Sequence, residues 1–118
     1  MAEFDPFAPP EDALPPDEVR ILEAHVEPWP DGRRVRVHIT LTPFQQRPNL
    51  SVRIYDAAGS LNCQADIIES MEARFVFTLH LRGEDPRGPF HLELLLGYEE
   101  SGVVDRRSMS FSIDETPA

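Results

Sequence analysis

Apolar and polar residues alternate along most of the chain, and this period of two predicts strands. The clearest example is the segment 33–42, where Val35, Val37, Ile39 and Leu41 alternate with arginine, histidine and threonine. Successive side chains of a strand point to opposite faces, so the alternation indicates a strand with one buried face. Six further segments also alternate, two of them with interruptions, and no segment has the longer apolar period of a substantial helix.

The segment 49–68 predicts a hairpin around which the other strands are organised. Its two alternating halves flank the residues 56–59, which end in a glycine suited to a tight turn. We expect the apolar side of this hairpin to be covered by the remaining strands. The residues predicted to face the core are Leu50, Val52, Ile54, Leu61, Cys63, Ala65 and Ile67.

Two of the remaining strands break their alternation, which predicts bulges. In the first strand, at about 18–27, the apolar face changes between Ile21 and Leu22. The last strand has Met109, Phe111 and Ile113 on one face, but residues 103–107 fit neither face, so a bulge or a late start is expected there. The segments 74–81 and 90–98 are regular, and residues 69–72 predict a single helix-like turn.

Seven short, one-sided strands are most simply buried as two packed antiparallel sheets. The order and lengths of the segments within 18–113 resemble an immunoglobulin-like sandwich, nearest to fibronectin type III and bacterial immunoglobulin-like modules. The antibody hallmarks are missing, because there is one cysteine and because Trp29 lies in the first turn. The predicted fold class is therefore an all-β, seven-stranded immunoglobulin-like sandwich comprising residues 18–118.

Residues 1–17 predict an acidic, proline-rich leader, disordered or extended, that precedes the domain. The first 18 residues contain six acids and no base, and five prolines fall before residue 17. Such a segment is typical of a solvated tail. The alternative is a docking peptide that inserts its aromatic side chains into a partner, with Phe4, Asp5, Pro6 and Phe7 as the candidate motif.

Charge and composition exclude several classes of partner. The net charge is −10, from 21 acidic and 11 basic residues, so phosphate backbones and anionic membranes are repelled. All the basic residues are arginine, which removes lysine chemistry and is typical of a GC-rich bacterial genome. No apolar run is long enough to span a bilayer and no secretory leader opens the chain, so we expect a cytoplasmic protein.

The candidate catalytic and metal-binding groups lack the companions that their chemistry needs. His38 and His80 would face each other if the second and fifth strands were neighbours, but two imidazoles are too few for zinc. The acidic pairs 84–85 and 99–100 lack the repeated spacing of calcium loops, and the serines of the last strand have no nucleophile elbow. We therefore expect no catalytic residue, no cofactor and no metal, and a protein that is not an enzyme.

The predicted function is protein binding through the outer face of the third and sixth strands. The candidate surface consists of Arg53, Tyr55, His91, Glu93 and Leu95, with Arg53 and Glu93 paired across the sheet and Tyr55 and Leu95 forming an apolar spot. The partner is another protein or a second copy. The alternative is a small-ligand or carbohydrate-binding module that uses the loops 43–48 and 83–89, expected at one end of the sandwich.

Overall fold

Seven antiparallel strands make up the fold in the computed structural model, which describes residues 11–29, 32–82 and 89–112. This confirms the predicted all-β class. A single 3-10 turn, Pro16–Glu18, precedes the strands, and no helix among the described residues is long and apolar enough to cross a membrane. The strands are β1 (Ile21–Pro28), β2 (Arg34–Leu41), β3 (Asn49–Tyr55), β4 (Leu61–Ile67), β5 (Arg74–His80), β6 (Phe90–Tyr98) and β7 (Gly102–Phe111).

The strands form two sheets. Sheet I has the order β1-β2-β5, and sheet II has the order β4-β3-β6-β7. The second and fifth strands are therefore neighbours, as are the third and sixth, in agreement with the resemblance. The hairpin of β3 and β4 lies in sheet II, where β3 pairs with β6 on its other side.

The core lies between the sheets and is built from the inward positions of the alternating segments. Each aliphatic side chain buried there contributes about 1.5–3 kcal/mol relative to exposure. The inward residues predicted for β2 and β3 are confirmed, and the regular alternation predicted for β6 places its leucines in the core. The most fully buried of them are Val35, Val37, Ile39 and Leu41 of β2, Leu50, Val52 and Ile54 of β3, and Leu92, Leu94 and Leu96 of β6.

Within the described strands, three bulges interrupt the register. A shift between Ile21 and Glu23 confirms the bulge predicted in β1, but Leu22 is exposed there rather than joining the apolar face that the change of alternation predicted. In β7 the register skips Val104, which confirms a bulge rather than a late start. The bulge at Asn62 in β4 was not predicted, and it turns Leu61 to the outer face of sheet II, where its side chain is 51% exposed. The prediction that Leu61 faces the core is therefore wrong.

The connection between β4 and β5 does not form the predicted helix-like turn. Its backbone donors bond elsewhere: the N–H of Glu69 donates to Asn49 Oδ1 at 2.8 Å, and the N–H of Ser70 donates to the Pro48 carbonyl at 2.8 Å. Glu69 has a φ of 49°, in the left-handed region that a helical turn does not use. These bonds hold the connection against the loop that follows β2.

Residues before the first strand pack against the domain. Leu14 forms a bridge with Phe44: its N–H donates to the Pro43 carbonyl at 3.0 Å, and its carbonyl accepts from the N–H of Gln45 at 2.9 Å. Ala13 is buried. The packed part of the chain therefore begins before residue 18, within the predicted leader. The candidate docking motif at residues 4–7 and the predicted inward residue Ile113 lie outside the described residues.

Side chains tie the two sheets together along both lateral seams. At one seam, Asp105 Oδ2 accepts from the N–H of Ile21 at 2.8 Å, and Arg107 Nη2 donates to the Ile21 carbonyl at 2.6 Å. At the other seam, Asn62 Oδ1 accepts from the N–H of Arg82 at 2.8 Å, and its Nδ2 donates to the Arg82 carbonyl at 3.0 Å. At each seam, the two bonds satisfy the main-chain N–H and C=O of one residue, as pairing with a neighbouring strand would.

Candidate functional site: the outer sheet faces and one loop end

All five residues of the predicted interaction surface lie on the outer face of sheet II. The register places Arg53 opposite Glu93, as predicted, and Tyr55 opposite His91. Leu95 lies opposite Ser51 on β3 and opposite Arg106 on β7. The surface is thus continuous along β3 and β6, with a pair of opposite charges at its centre.

The predicted apolar spot of Tyr55 and Leu95 is not formed. In this antiparallel register the position of Leu95 is four residues along the strands from that of Tyr55, which is about 13 Å at 3.3 Å per residue. Tyr55 instead has Leu61 as its cross-strand neighbour, because the bulge at Asn62 turns Leu61 outward. Leu95 belongs to a different apolar group.

That group surrounds a depression of about 390 Å³ at the end of sheet II nearer the β6–β7 turn. Ile68 and Val103 lie on opposite sides of it and are 70% and 48% exposed. Gly97 lies between them, and a Cβ added there would come within 2.5 Å of the Gly102 carbonyl oxygen. Sequence reasoning missed Ile68 and Val103. The available signals were the Ile67-Ile68 doublet, which ends the alternation of β4, and the irregular start of β7.

A second, polar cavity of about 590 Å³ adjoins the depression at one end of the sandwich. We call this the Tyr98 end; it comprises the loops 42–48 and 68–73 and the turn 99–101. Tyr98 donates from its hydroxyl to the Gln46 carbonyl at 2.8 Å, and burial raises the pKa of Tyr98. The residues shared by the two concavities are Asn49, Ile68, Tyr98 and Glu99, and the cavity is further lined by Gln46, Arg47, Glu69, Glu100 and Ser101.

Of the two loops predicted to act together, the loop 43–48 is described and contributes to the Tyr98 end. The loop 43–48 follows β2, whereas the loop 83–89 follows β5, and these strands pair antiparallel. The end of β5 therefore lies beside the start of β2. One binding end formed by both loops stays a prediction, because residues 83–88 lie outside the described residues.

The histidines pair differently from the prediction. His38 lies opposite His25 on β1, with ring centroids 5.6 Å apart, and its Nε2 is 3.2 Å from Glu27 Oε2. His80 lies opposite Arg34, four residues along β5 from Val76, which is the neighbour of His38. Among the described residues, no group of three or more histidine, cysteine, aspartate or glutamate side chains is placed to hold a metal ion.

Cys63 is a buried thiol in the core. Burial raises its pKa, and the nearby charge of Arg82 lowers it by less. A thiol with a raised pKa is a weak nucleophile at neutral pH. This environment agrees with the interpretation of Cys63 as a small core residue.

Trp29 contacts two arginines on the outer face of sheet I, and this contact was not predicted from the sequence. The Arg34 guanidinium lies 4.2 Å from the centroid of the indole ring, and the Arg36 guanidinium lies 4.8 Å from it. The sequence features that could have indicated this contact are a tryptophan before the turn and arginines at alternate positions after it. In the described part of the chain, the indole nitrogen of Trp29 is buried without a hydrogen-bond partner.

Solved structures show the same fold within larger proteins. A β-glucuronidase from Bifidobacterium dentium, complexed with coumarin-3-O-glucuronide, matches 80% of this chain with a TM-score of 0.61 and 13% identity. A β-glucuronidase from Ruminococcus gnavus, apo and with D-glucuronic acid, matches 83% with a TM-score of 0.52 and 17% identity. This chain spans 18% and 16% of those proteins, and the likeness shows the fold alone. No protein-family model and no curated protein matches the chain.

Proposed function

We propose that the chain is a non-catalytic interaction module that binds protein through the outer face of sheet II, with a second copy of the chain as the occupant. The observation that carries the proposal is the exposed apolar group around the depression, formed by Ile68, Leu95 and Val103. Contiguous exposed apolar groups with a polar rim are typical of protein interfaces. The predicted surface residue Leu95 belongs to this group.

Gly97 gives the depression its shape. The outer positions at this level of the sheet are occupied by Asn49, Gly97 and Val103, so a residue without a side chain lies beside an exposed valine. The position directly above Gly97 is closed by the Gly102 carbonyl oxygen, so a side chain from a facing molecule would pack beside it, between Ile68 and Val103. Full burial of an aliphatic side chain there is worth about 1.5–3 kcal/mol.

The charges around the depression favour a second copy. Arg106 is the β7 neighbour of Leu95, and Glu99 lines the depression. A rim with both signs can complement itself across a two-fold axis, which is the commonest symmetry of protein dimers. A single-sign rim would repel a second copy.

Sedimentation velocity across a concentration series tests this proposal. Val103→Glu and Leu95→Glu each place a carboxylate in the apolar group, and Thr78→Glu on the outer face of sheet I is the matched control. We expect a dimer that is retained in the control and lost in both variants. A monomer at every concentration, or a dimer unaffected by Val103→Glu, contradicts the proposal. Val103 is half exposed, so its variant separates lost association from lost folding.

We further infer that the architecture is immunoglobulin-like and nearest to the fibronectin type III arrangement. The strand order supports this inference, because β4 joins the sheet that contains β3, β6 and β7. In the constant immunoglobulin type, the fourth strand belongs to the other sheet. Such folds serve many unrelated functions, so the architecture by itself assigns no activity.

Small-ligand or carbohydrate binding at the Tyr98 end is the second candidate function. It is favoured by the polar cavity of about 590 Å³, a size typical of ligand sites, which combines Tyr98 with Arg47 and Glu69. A suitable probe is D-glucuronic acid, which the Ruminococcus gnavus enzyme binds. Binding here should shift amide signals only in residues 45–49, 68–70 and 98–101. No shift, or shifts at the opposite end of the sandwich, contradicts this candidate.

The non-catalytic part of the proposal has its own test. Incubation of the chain with a chromogenic β-glucuronide should release no more dye than buffer alone does. Release above buffer that disappears in Glu99→Gln and Glu100→Gln variants would contradict a purely binding role, since glycoside hydrolysis requires carboxyl groups.

A further inference from the structure

The outer face of sheet I has an unusual charge for this chain. The outward residues of β2 are Arg34, Arg36, His38 and Thr40, and those of β5 are Arg74, Val76, Thr78 and His80. Neither strand contains a carboxylate, although the whole chain has a net charge of −10. The acidic residues of this sheet, Glu23 and Glu27, are both on the edge strand β1. Glu27 lies opposite Arg36 and 3.2 Å from His38, so the side of the face away from β1 carries the excess of positive charge.

Trp29 holds part of this face in place. Both Arg34 and Arg36 stack on its ring, so their side chains are ordered before any partner arrives. Stacking uses the flat face of a guanidinium, whereas carboxylates bind to its N–H edge. Pairing with Arg36 therefore costs less side-chain conformational entropy than pairing with a freely rotating arginine.

We propose that this cationic face, consisting of Arg34, Arg36 and Arg74, binds an acidic polypeptide segment in extended conformation. Charge complementarity argues for an acidic partner, and the strand geometry argues for an extended one. Residues at alternate positions of a strand, such as Arg34 and Arg36, are about 6.6 Å apart. Carboxylates at alternate positions of an extended segment have the same spacing.

The net negative charge of the chain does not prevent this binding. At about 0.1 M salt the Debye length is about 10 Å, so a segment on the face interacts mainly with the cations beneath it. β2 has 8 residues, which corresponds to about 26 Å, so acidic groups at the Tyr98 end are largely screened from Arg34 and Arg36. The site lies on the sheet opposite to the one used in the proposed function, so either proposal can fail without the other.

Fluorescence anisotropy with labelled peptides tests the proposal on the full chain at about 0.1 M salt. One peptide alternates glutamate and threonine, and a second has the same composition with its glutamates in one block. We expect tighter binding of the alternating peptide and a loss of affinity in higher salt. Trp29 is the only tryptophan, so its emission should change on binding.

Arg36→Ala and Arg74→Ala should each weaken the alternating peptide about fivefold, the limit for an exposed ion pair. Arg20→Ala, an exposed position before β1 and outside both proposed surfaces, is the matched control and should change affinity less than about twofold. Arg74 is not part of the Trp29 stack, so its variant remains informative if Arg36→Ala disturbs the local structure.

Any of four results with the peptides overturns the proposal: no binding at low salt, equal affinity for the two peptides, equal weakening by Arg20→Ala, or unchanged affinity in both test variants. Tighter binding of an acidic polysaccharide such as polyglucuronate, lost in Arg36→Ala, would assign the face to a saccharide instead and would also overturn it.

Discussion

The seam between β1 and β7 permits a quantitative test of how the sandwich is held together. Asp105 and Arg107 point inward from β7, and both bond to the backbone of Ile21. Asp105→Ala removes the acceptor at 2.8 Å and leaves the N–H of Ile21, a residue in the core, without that partner.

The expected loss follows from the type of bond. A hydrogen bond to a charged group contributes about 1.5–3 kcal/mol, and an unsatisfied buried donor costs a similar amount. The Ile21 N–H is only partly buried, so we expect Asp105→Ala to lower the free energy of unfolding by about 2 kcal/mol. Asp105→Asn keeps a side-chain oxygen in reach and should lose less than about 1 kcal/mol.

Urea denaturation followed by the fluorescence of Trp29 measures these differences. The double variant Asp105→Ala, Arg107→Ala should lose less than the sum of the single variants, because both side chains fix the same residue. A loss below about 0.5 kcal/mol for Asp105→Ala, which is typical of an unimportant surface site, would refute the reasoning. Equal losses in Asp105→Ala and Asp105→Asn would show that the charge, rather than the acceptor geometry, matters.

Three further predictions concern other positions. Gly97→Ala places a Cβ 2.5 Å from the Gly102 carbonyl oxygen and should cost about 1–3 kcal/mol in urea denaturation; a smaller loss means that the turn relaxes without strain. Burial raises the pKa of the Cys63 thiol, so the folded state keeps this proton after the unfolded chain has lost its own. Stability should therefore fall as the pH rises above about 8.5, and Cys63→Ala should reduce that fall. The same pH dependence of stability in both proteins would contradict a raised pKa of Cys63. Asn62→Ala removes both bonds to the Arg82 backbone and should cost about 1 kcal/mol and speed hydrogen exchange at the Arg82 amide, which unchanged exchange would contradict.

The fold was predictable from sequence because alternation directly reports which side of a strand is buried. Val35, Val37 and Ile39 alternate without interruption, and all three are almost fully buried. Leu61 was misassigned because the alternation alone does not reveal a bulge. The extra residue, Asn62, is held by hydrogen bonds to Arg82, which is 20 residues away in sequence.

The candidate site was predictable only in part, because it depends on register and on distant pairing. The register that places Arg53 opposite Glu93 also separates Tyr55 from Leu95, and a face assignment cannot distinguish these outcomes. The apolar group at Ile68 and Val103 joins the edge strand β4 to β7 across two intervening strands. Such a juxtaposition exists only once the order of the sheet is known.

The side chains along the two seams have a consequence for how a partner can approach. A peptide that extends a sheet by strand addition needs unpaired main-chain donors and acceptors along an edge. At Ile21 and Arg82 these groups are already bonded to the side chains of Asp105, Arg107 and Asn62. Recognition by edge-to-edge pairing is therefore disfavoured at both seams, which leaves the sheet faces and the loop ends for partners. The same side chains protect the folded chain against linear aggregation through its edges.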